Sequence, residues 1–113
     1  MHELSIARSV INSVEKICHD DHFGKVSEIT LDIGTMSGVS KSALLFCWPL
    51  ATKQTLLEEC HLVINEIPLT LECLACNLKS SPEVFIMCCE HCGSGQVRIE
   101  TGNELKIKNM EAY

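Results

Sequence analysis

Aromatic side chains are scarce in this chain: Phe, Trp and Tyr together make up 4% of its 113 residues. Any core must therefore be aliphatic, filled by Ile, Leu and Val. No apolar run approaches the roughly 20 residues that a membrane-spanning helix needs. The N-terminus, MHELSIARSV, has no basic stretch leading into an apolar one, so no secretory signal is expected. The cysteines are then expected to face the reducing cytoplasm. Positive charge is also short, with 9 Lys and Arg against 15 Asp and Glu and a net charge of -6. An acidic chain repels phosphate backbones, which argues against nucleic acid as a partner. Repeats and low-complexity linkers are absent. The length suits one modest core with one small appended module.

Against these absences stands an excess of cysteine, eight in all. In a secreted protein that number would suggest a disulfide framework. In a reducing compartment metal binding is the better reading, and the spacing agrees. Cys73 and Cys76 form one C-x-x-C pair, and Cys89 and Cys92 form a second, which Gly93 follows directly. Each pair makes a tight turn that aims two sulfurs at one point. Two such turns complete a tetrahedral shell of four thiolates, the closed geometry of a structural Zn(II). Gly93 lets the backbone turn closely around the ion. A segment of about twenty residues cannot build its own core, and metal binding can supply on the order of 10 kcal/mol of folding free energy.

Two other readings of the cysteines are weaker. A redox site needs only one C-x-x-C in a βαβ setting. Iron–sulfur clusters use other spacings. Cys88 adjoins Cys89 and could compete with it, or pair with His91 in a mixed site. Cys89 restores the x-x spacing and is preferred. His91 is read as a solvated side chain, and Cys18, Cys47 and Cys60 as small core residues.

Periodicity supplies the rest of the plan. Residues 4–18 read as an amphipathic helix, with Ala7, Val10, Ile11, Val14, Ile17 and Cys18 on one side. Residues 26–34 alternate as a strand with Ile29, Leu31 and Ile33 inward. Ser40 or Ser42 can cap a second helix over residues 41–53, where Pro49 predicts a kink or an early end. Residues 61–67 read as a second strand stopped by Pro68. Residues 96–107 alternate again around a turn at Thr101-Gly102-Asn103, and these last strands are expected to rejoin the first sheet. The expected division is an α/β domain over residues 1–70, completed by residues 97–113, with a metal module at residues 71–96.

Met1-His2-Glu3 is short but chemically specific. A histidine at position two puts the α-amine, the His2 amide nitrogen and the His2 imidazole within reach of one ion, in adjoining chelate rings. Nitrogen-rich sets of this kind favour Ni(II) or Cu(II) in planar geometry. Histidine is too large for routine removal of the preceding methionine, so Met1 is expected to remain. Glu3 can add an amide or a carboxylate. A second-position histidine is usually incidental, and these residues alone leave the question open.

MHELSIARSV, then LDIGTMSGVSKSAL, then two C-x-x-C pairs with the second running on into Gly93-Ser94, resemble the hydrogenase maturation factor family HypA/HybF along essentially the whole chain. The resemblance implies an α/β fold with a three-stranded sheet and two helices forming a nickel domain, plus a four-cysteine, zinc-ribbon-like module. It implies a cytoplasmic nickel metallochaperone, not an enzyme, that delivers Ni(II) for the [NiFe]-hydrogenase centre. The implied partners are a HypB-type GTPase and the hydrogenase large-subunit precursor, with urease maturation proteins served by some members. Nucleic acid and membrane are not among them, and the chain is expected as a monomer or homodimer. His2, with Met1 and Glu3, is implied to hold nickel as cargo, and Cys73, Cys76, Cys89 and Cys92 to hold structural zinc. One departure is Ser40, a position often acidic in the family, where serine supplies no charge. The alternatives are a protein-interaction adaptor shaped by its zinc, and a zinc-ribbon nucleic-acid module. Glu72, Glu83 and Glu90 against Lys79 alone within residues 71–96 argue against the last.

Overall fold

The first helix, α1, runs His2–Asp21. Ala7, Ile11, Val14 and Cys18 recur at three- and four-residue steps along it and are buried, so one stripe faces inward. Ile17 lies on the flank of that stripe and is 39% exposed, unlike the inward position its spacing suggested. The helix ends without a glycine. His22 takes the left-handed conformation (φ 63) and the Phe23 N–H donates to the Cys18 carbonyl at 2.9 Å, a Schellman closure. The computed structural model describes residues 2–113.

β1, Val26–Gly34, buries Val26, Ile29, Leu31 and Ile33, while Glu28, Thr30 and Asp32 on its other face are half-buried. α2 spans Lys41–Ala51 and packs on α1. Ser40 is its cap, because its Oγ accepts the Ala43 N–H at 3.2 Å. Pro49 lies inside the last turn, and the helix stops two residues later, earlier than its pattern suggested. Leu44, Cys47 and Trp48 form the inner face, with the indole N–H donating to the Cys60 carbonyl at 3.2 Å.

β2, His61–Ile67, and β6, Leu105–Ala112, flank β1 in a three-stranded sheet of order β2-β1-β6. Thr35, just past the end of β1, donates to Ile67 at the end of β2, so those two strands run parallel. Lys25 exchanges hydrogen bonds with Tyr113, and Gly34 donates to Glu104, so β6 runs antiparallel to β1. This is the expected α/β fold of two helices on a small sheet.

A second sheet, absent from the sequence reading, has the order β4-β3-β5. β3 is Thr70–Cys73, β4 is Lys79–Ser80 and β5 is Val97–Thr101. β3 pairs antiparallel with both neighbours, setting Leu71 opposite Ser80 and Ile99, and Cys73 opposite Val97. The expectation that both C-terminal strands rejoin the first sheet therefore needs correcting. β6 does, but β5 pairs with β3. The reason is local: Leu74 N–H donates to the Gln96 carbonyl at 2.8 Å, so the chain leaving the cysteine module runs back beside the strand that entered it. Strands of four and two residues are too short to leave a period in the sequence.

The chain divides into two compact units. One consists of Asp32–Gly38 and Glu66–Leu105, and the other holds both helices and most of β1, β2 and β6. In the second of these the core is mainly aliphatic, with Ile11, Val14, Ile29, Leu31, Leu44 and Leu57 buried beside Trp48 and three cysteines, Cys18, Cys47 and Cys60. The cysteine-bearing unit buries Ile33, Leu69 and Leu71, together with Cys73 and Cys89. Within it Gly34 lies so close to Gly102 that a Cβ on Gly34 would stand 1.9 Å from the Gly102 carbonyl oxygen. No described helix is long and apolar enough to cross a membrane.

Candidate metal sites

Cys73 ends β3, and the chain turns at once. The Asn77 N–H donates to the Cys73 carbonyl at 3.0 Å, the Cys73 N–H to the Leu78 carbonyl at 2.9 Å, and the Cys76 N–H points at Cys73 Sγ at 3.4 Å. The second pair repeats this pattern residue for residue. Gly93 donates to Cys89 at 3.0 Å, Cys89 to Ser94 at 2.8 Å, and the Cys92 N–H points at Cys89 Sγ at 3.4 Å. The fourth residue after the leading cysteine is left-handed in both turns, Asn77 at φ 62 and Gly93 at φ 76. Asparagine is among the few non-glycine residues that tolerate this conformation. The sequence reading named Gly93 only; the equivalent place of Asn77 in the first pair was the signal for its twin.

The two turns bring four sulfurs together. Cys73 and Cys92 Sγ are 3.6 Å apart, Cys76 and Cys89 Sγ are 3.6 Å apart, and all four lie within 4.8 Å of one another. Four thiolates around a tetrahedral ion with metal–sulfur bonds of about 2.3 Å would stand about 3.8 Å apart. The cluster therefore fits a structural metal with little movement. Cys73 and Cys89 are buried, Cys76 is half-buried and Cys92 is exposed.

Backbone donors prepare the buried pair for the thiolate form that metals bind. The Cys76 N–H holds the Cys73 thiol below its ordinary range. The Cys92 N–H, helped by the His91 N–H at 3.3 Å, brings Cys89 down to about 6. Cys88 and His91 are not in the convergent group. His91 instead sets Nε2 3.1 Å from the Lys79 carbonyl oxygen, tying the second turn to β4. Cys18 and Cys47 are buried, and burial pushes the Cys60 thiol up to about 11, so these three behave as core residues.

The N-terminal candidates stand in the other unit. Met1 lies outside the described residues. His2 opens α1 with its side chain 62% exposed, and its Nδ1 is 3.5 Å from Oε2 of Glu3. The first N–H groups of a helix have no carbonyl four residues back, so the amides of His2 and Glu3 have no intrahelical partner. Glu3 is far less exposed, and its Oε2 accepts the Ser40 N–H at 3.2 Å. That backbone donor holds the Glu3 carboxyl below the usual carboxylate range. Sequence reasoning weighed Ser40 as a missing anionic donor. In the structure Ser40 caps α2, and Glu3 supplies the negative charge beside it.

Residues 1–112 match the family model described as hydrogenase/urease nickel incorporation, metallochaperone, HypA. The hydrogenase maturation factor HypA of Geobacter metallireducens is 38% identical over 98% of either chain. The HybF factor of Klebsiella pneumoniae is 32% identical, again over 98% of both. Among solved structures, that of the Ni metallochaperone HypA from Helicobacter pylori superposes with a TM-score of 0.71, at 26% identity, over 97% of this chain and 96% of the other.

Proposed function

Because this chain belongs to the HypA family of nickel-incorporation metallochaperones, we propose that it binds Ni(II) at its N-terminus and hands it on for maturation of a [NiFe]-hydrogenase. The observation that carries the reading is the end-to-end family match, joined to an exposed His2 at the unpaired amide end of α1. The α-amine of Met1, the His2 amide and imidazole, and the backbone nitrogen of Glu3 make a nitrogen set that suits nickel as cargo. The imidazole faces solvent, so a receiving protein can approach the ion directly.

Zinc is the proposed resident metal, held by Cys73, Cys76, Cys89 and Cys92. Its role is to fold the module, because four thiolates leave no coordination position open for chemistry. The unit with both helices is then the nickel domain and the cysteine unit the zinc domain. A HypB-type GTPase, the hydrogenase large-subunit precursor and urease maturation proteins are the proposed partners, in the cytoplasm. A second reading, an adaptor without metal delivery, draws on Val84 and Phe85, which are 63% and 53% exposed on the cysteine module.

Calorimetric titration of the untagged, zinc-loaded chain with nickel separates the two readings. One nickel per chain is expected, lost in His2→Ala and when the α-amine is capped, with zinc content unchanged. Nickel binding depends on displacing ligand protons, so acidification below neutral should release nickel while zinc stays. Absence of nickel binding by the wild type would leave only the adaptor, and undiminished binding by His2→Ala would overturn the N-terminal site.

A further inference from the structure

The Glu3 carboxylate stands between two nitrogens. The same oxygen, Oε2, is 3.5 Å from His2 Nδ1 and 3.2 Å from the Ser40 backbone nitrogen. Ser40 is the cap of α2. Its Oγ holds the Ala43 N–H at 3.2 Å and lies 3.2 Å from the Ser42 hydroxyl. One carboxylate oxygen therefore joins the first turn of α1 to the first turn of α2.

Chelate geometry puts a conflict at those atoms. An ion held by the His2 amide nitrogen closes a six-membered ring through Cα, Cβ, Cγ and Nδ1. Nε2 points away from that amide and cannot close the ring. The nitrogen a chelated ion needs is thus the one that faces Glu3. Once the ion takes the Nδ1 lone pair, Nδ1 has no proton for Glu3, so the ion takes the place of the carboxylate as the partner of that nitrogen.

We propose that Glu3 is a positioning residue whose carboxylate is a latch, passing nickel occupancy at His2 to the cap of α2. The proposal rests on the nickel site proposed above and assigns the Glu3 side chain a role other than metal donor. In the metal-free protein Oε2 is divided between His2 and Ser40. With nickel bound it turns wholly to the Ser40 N–H. That bond is charge-assisted and lies at a helix N-terminus, where negative charge is favoured. Loaded and empty forms then differ at the first turn of α2 as well as at the ion. By linkage, whatever tightens that turn also favours nickel.

Quenched-flow hydrogen exchange on the untagged, zinc-loaded chain tests this, read by mass spectrometry on the peptide bearing Ser40, with and without nickel sulfate. Calorimetry on the same samples counts bound nickel, and the nickel d–d absorption band reports its donors. In the wild type, nickel should slow exchange at Ser40 several-fold. In Glu3→Ala, nickel should bind at the same stoichiometry with an unmoved band, while Ser40 exchanges quickly and ignores the metal. Glu3→Gln keeps the side-chain volume should the alanine variant fail to fold, and its nickel response should be smaller than that of the wild type. A shifted band in either variant would make the carboxylate a ligand and overturn the latch. Slowing at Ser40 that persists undiminished without the Glu3 carboxylate would do the same. Nickel heat with an unresponsive Ser40 in the wild type overturns the latch alone, whereas absence of nickel heat removes the nickel site itself.

Discussion

The two units of this molecule are held together by different physics. The unit with both helices buries a continuous aliphatic set drawn from α1, β1, α2 and the residues around Leu57. Each such side chain contributes about 1.5–3 kcal/mol on burial. The cysteine unit buries Ile33, Leu69 and Leu71 but leaves Leu74, Leu78, Val84 and Phe85 more than half or about half exposed. Apolar burial alone is a poor account of its order. Its two turns are instead organised around four converging sulfurs, with backbone N–H groups aimed at Cys73 and Cys89. A hydrophobic core tolerates the loss of one member at partial cost, whereas a four-ligand shell is close to all-or-none.

The sharpest way to break the contrast is to remove the metal. Chelation, or alanine at any one of Cys73, Cys76, Cys89 and Cys92, should take away on the order of 10 kcal/mol of binding free energy. The turns at 73–78 and 89–94 should disorder while the other unit keeps its fold. Trp48, the single tryptophan, reports the helical unit and should keep its buried emission. Hydrogen exchange resolved by segment checks both halves of this expectation. Cys88→Ala is the matched control and should retain the metal. A collapse of Trp48 emission on chelation would mean that the helical unit depends on the metal as well.

A smaller effect should appear in the opposite place. Leu44 is fully buried on the inner face of α2. Leu44→Ala should cost the helical unit about 2–5 kcal/mol through lost transfer and a residual cavity. Metal content should stay at the wild-type value. Denaturant melts followed at Trp48, with zinc measured on the same material, give both numbers.

The smallest effect concerns acid. The Glu3 carboxyl is held below its ordinary range by the Ser40 N–H. A depressed folded value means its contribution is present above the unfolded carboxylate range and is lost as pH falls through the folded value. The link between α1 and α2 should therefore loosen only in clear acid, and Glu3→Gln should flatten that part of the stability–pH curve slightly. Comparison of thermal melts of wild type and Glu3→Gln across the acid range measures it. A wild-type curve that Glu3→Gln leaves unchanged would show that the charge of the Glu3 carboxylate contributes nothing to stability.

Patterns that act over short sequence distance were legible from the residues themselves. The alternation of Ile29, Leu31 and Ile33 marked β1, and the three- and four-residue steps of Ala7, Ile11 and Val14 marked α1, because side-chain burial repeats with the backbone period. The paired C-x-x-C spacing located the sulfur cluster, because each turn is closed by bonds within six residues. Ser40 and Ser42 looked equally able to cap α2 from sequence, and only the position of Ala43 N–H decided between them.

What the sequence could not determine depends on partners far along the chain. β5 carries the same alternation as any half-buried strand. Its place beside β3 came from the closure of the cysteine module, which returns residue 96 to residue 74. The need for glycine at 34 arises from the backbone of Gly102, 68 residues later. The meeting of Glu3 with Ser40 joins the starts of two helices 37 residues apart. No local period encodes such contacts, because they follow from the packing of segments distant in the chain and not from the conformation of either segment. Local geometry and ligand chemistry were written in the sequence; which distant groups share a hydrogen bond or a sheet edge was settled only by the tertiary fold.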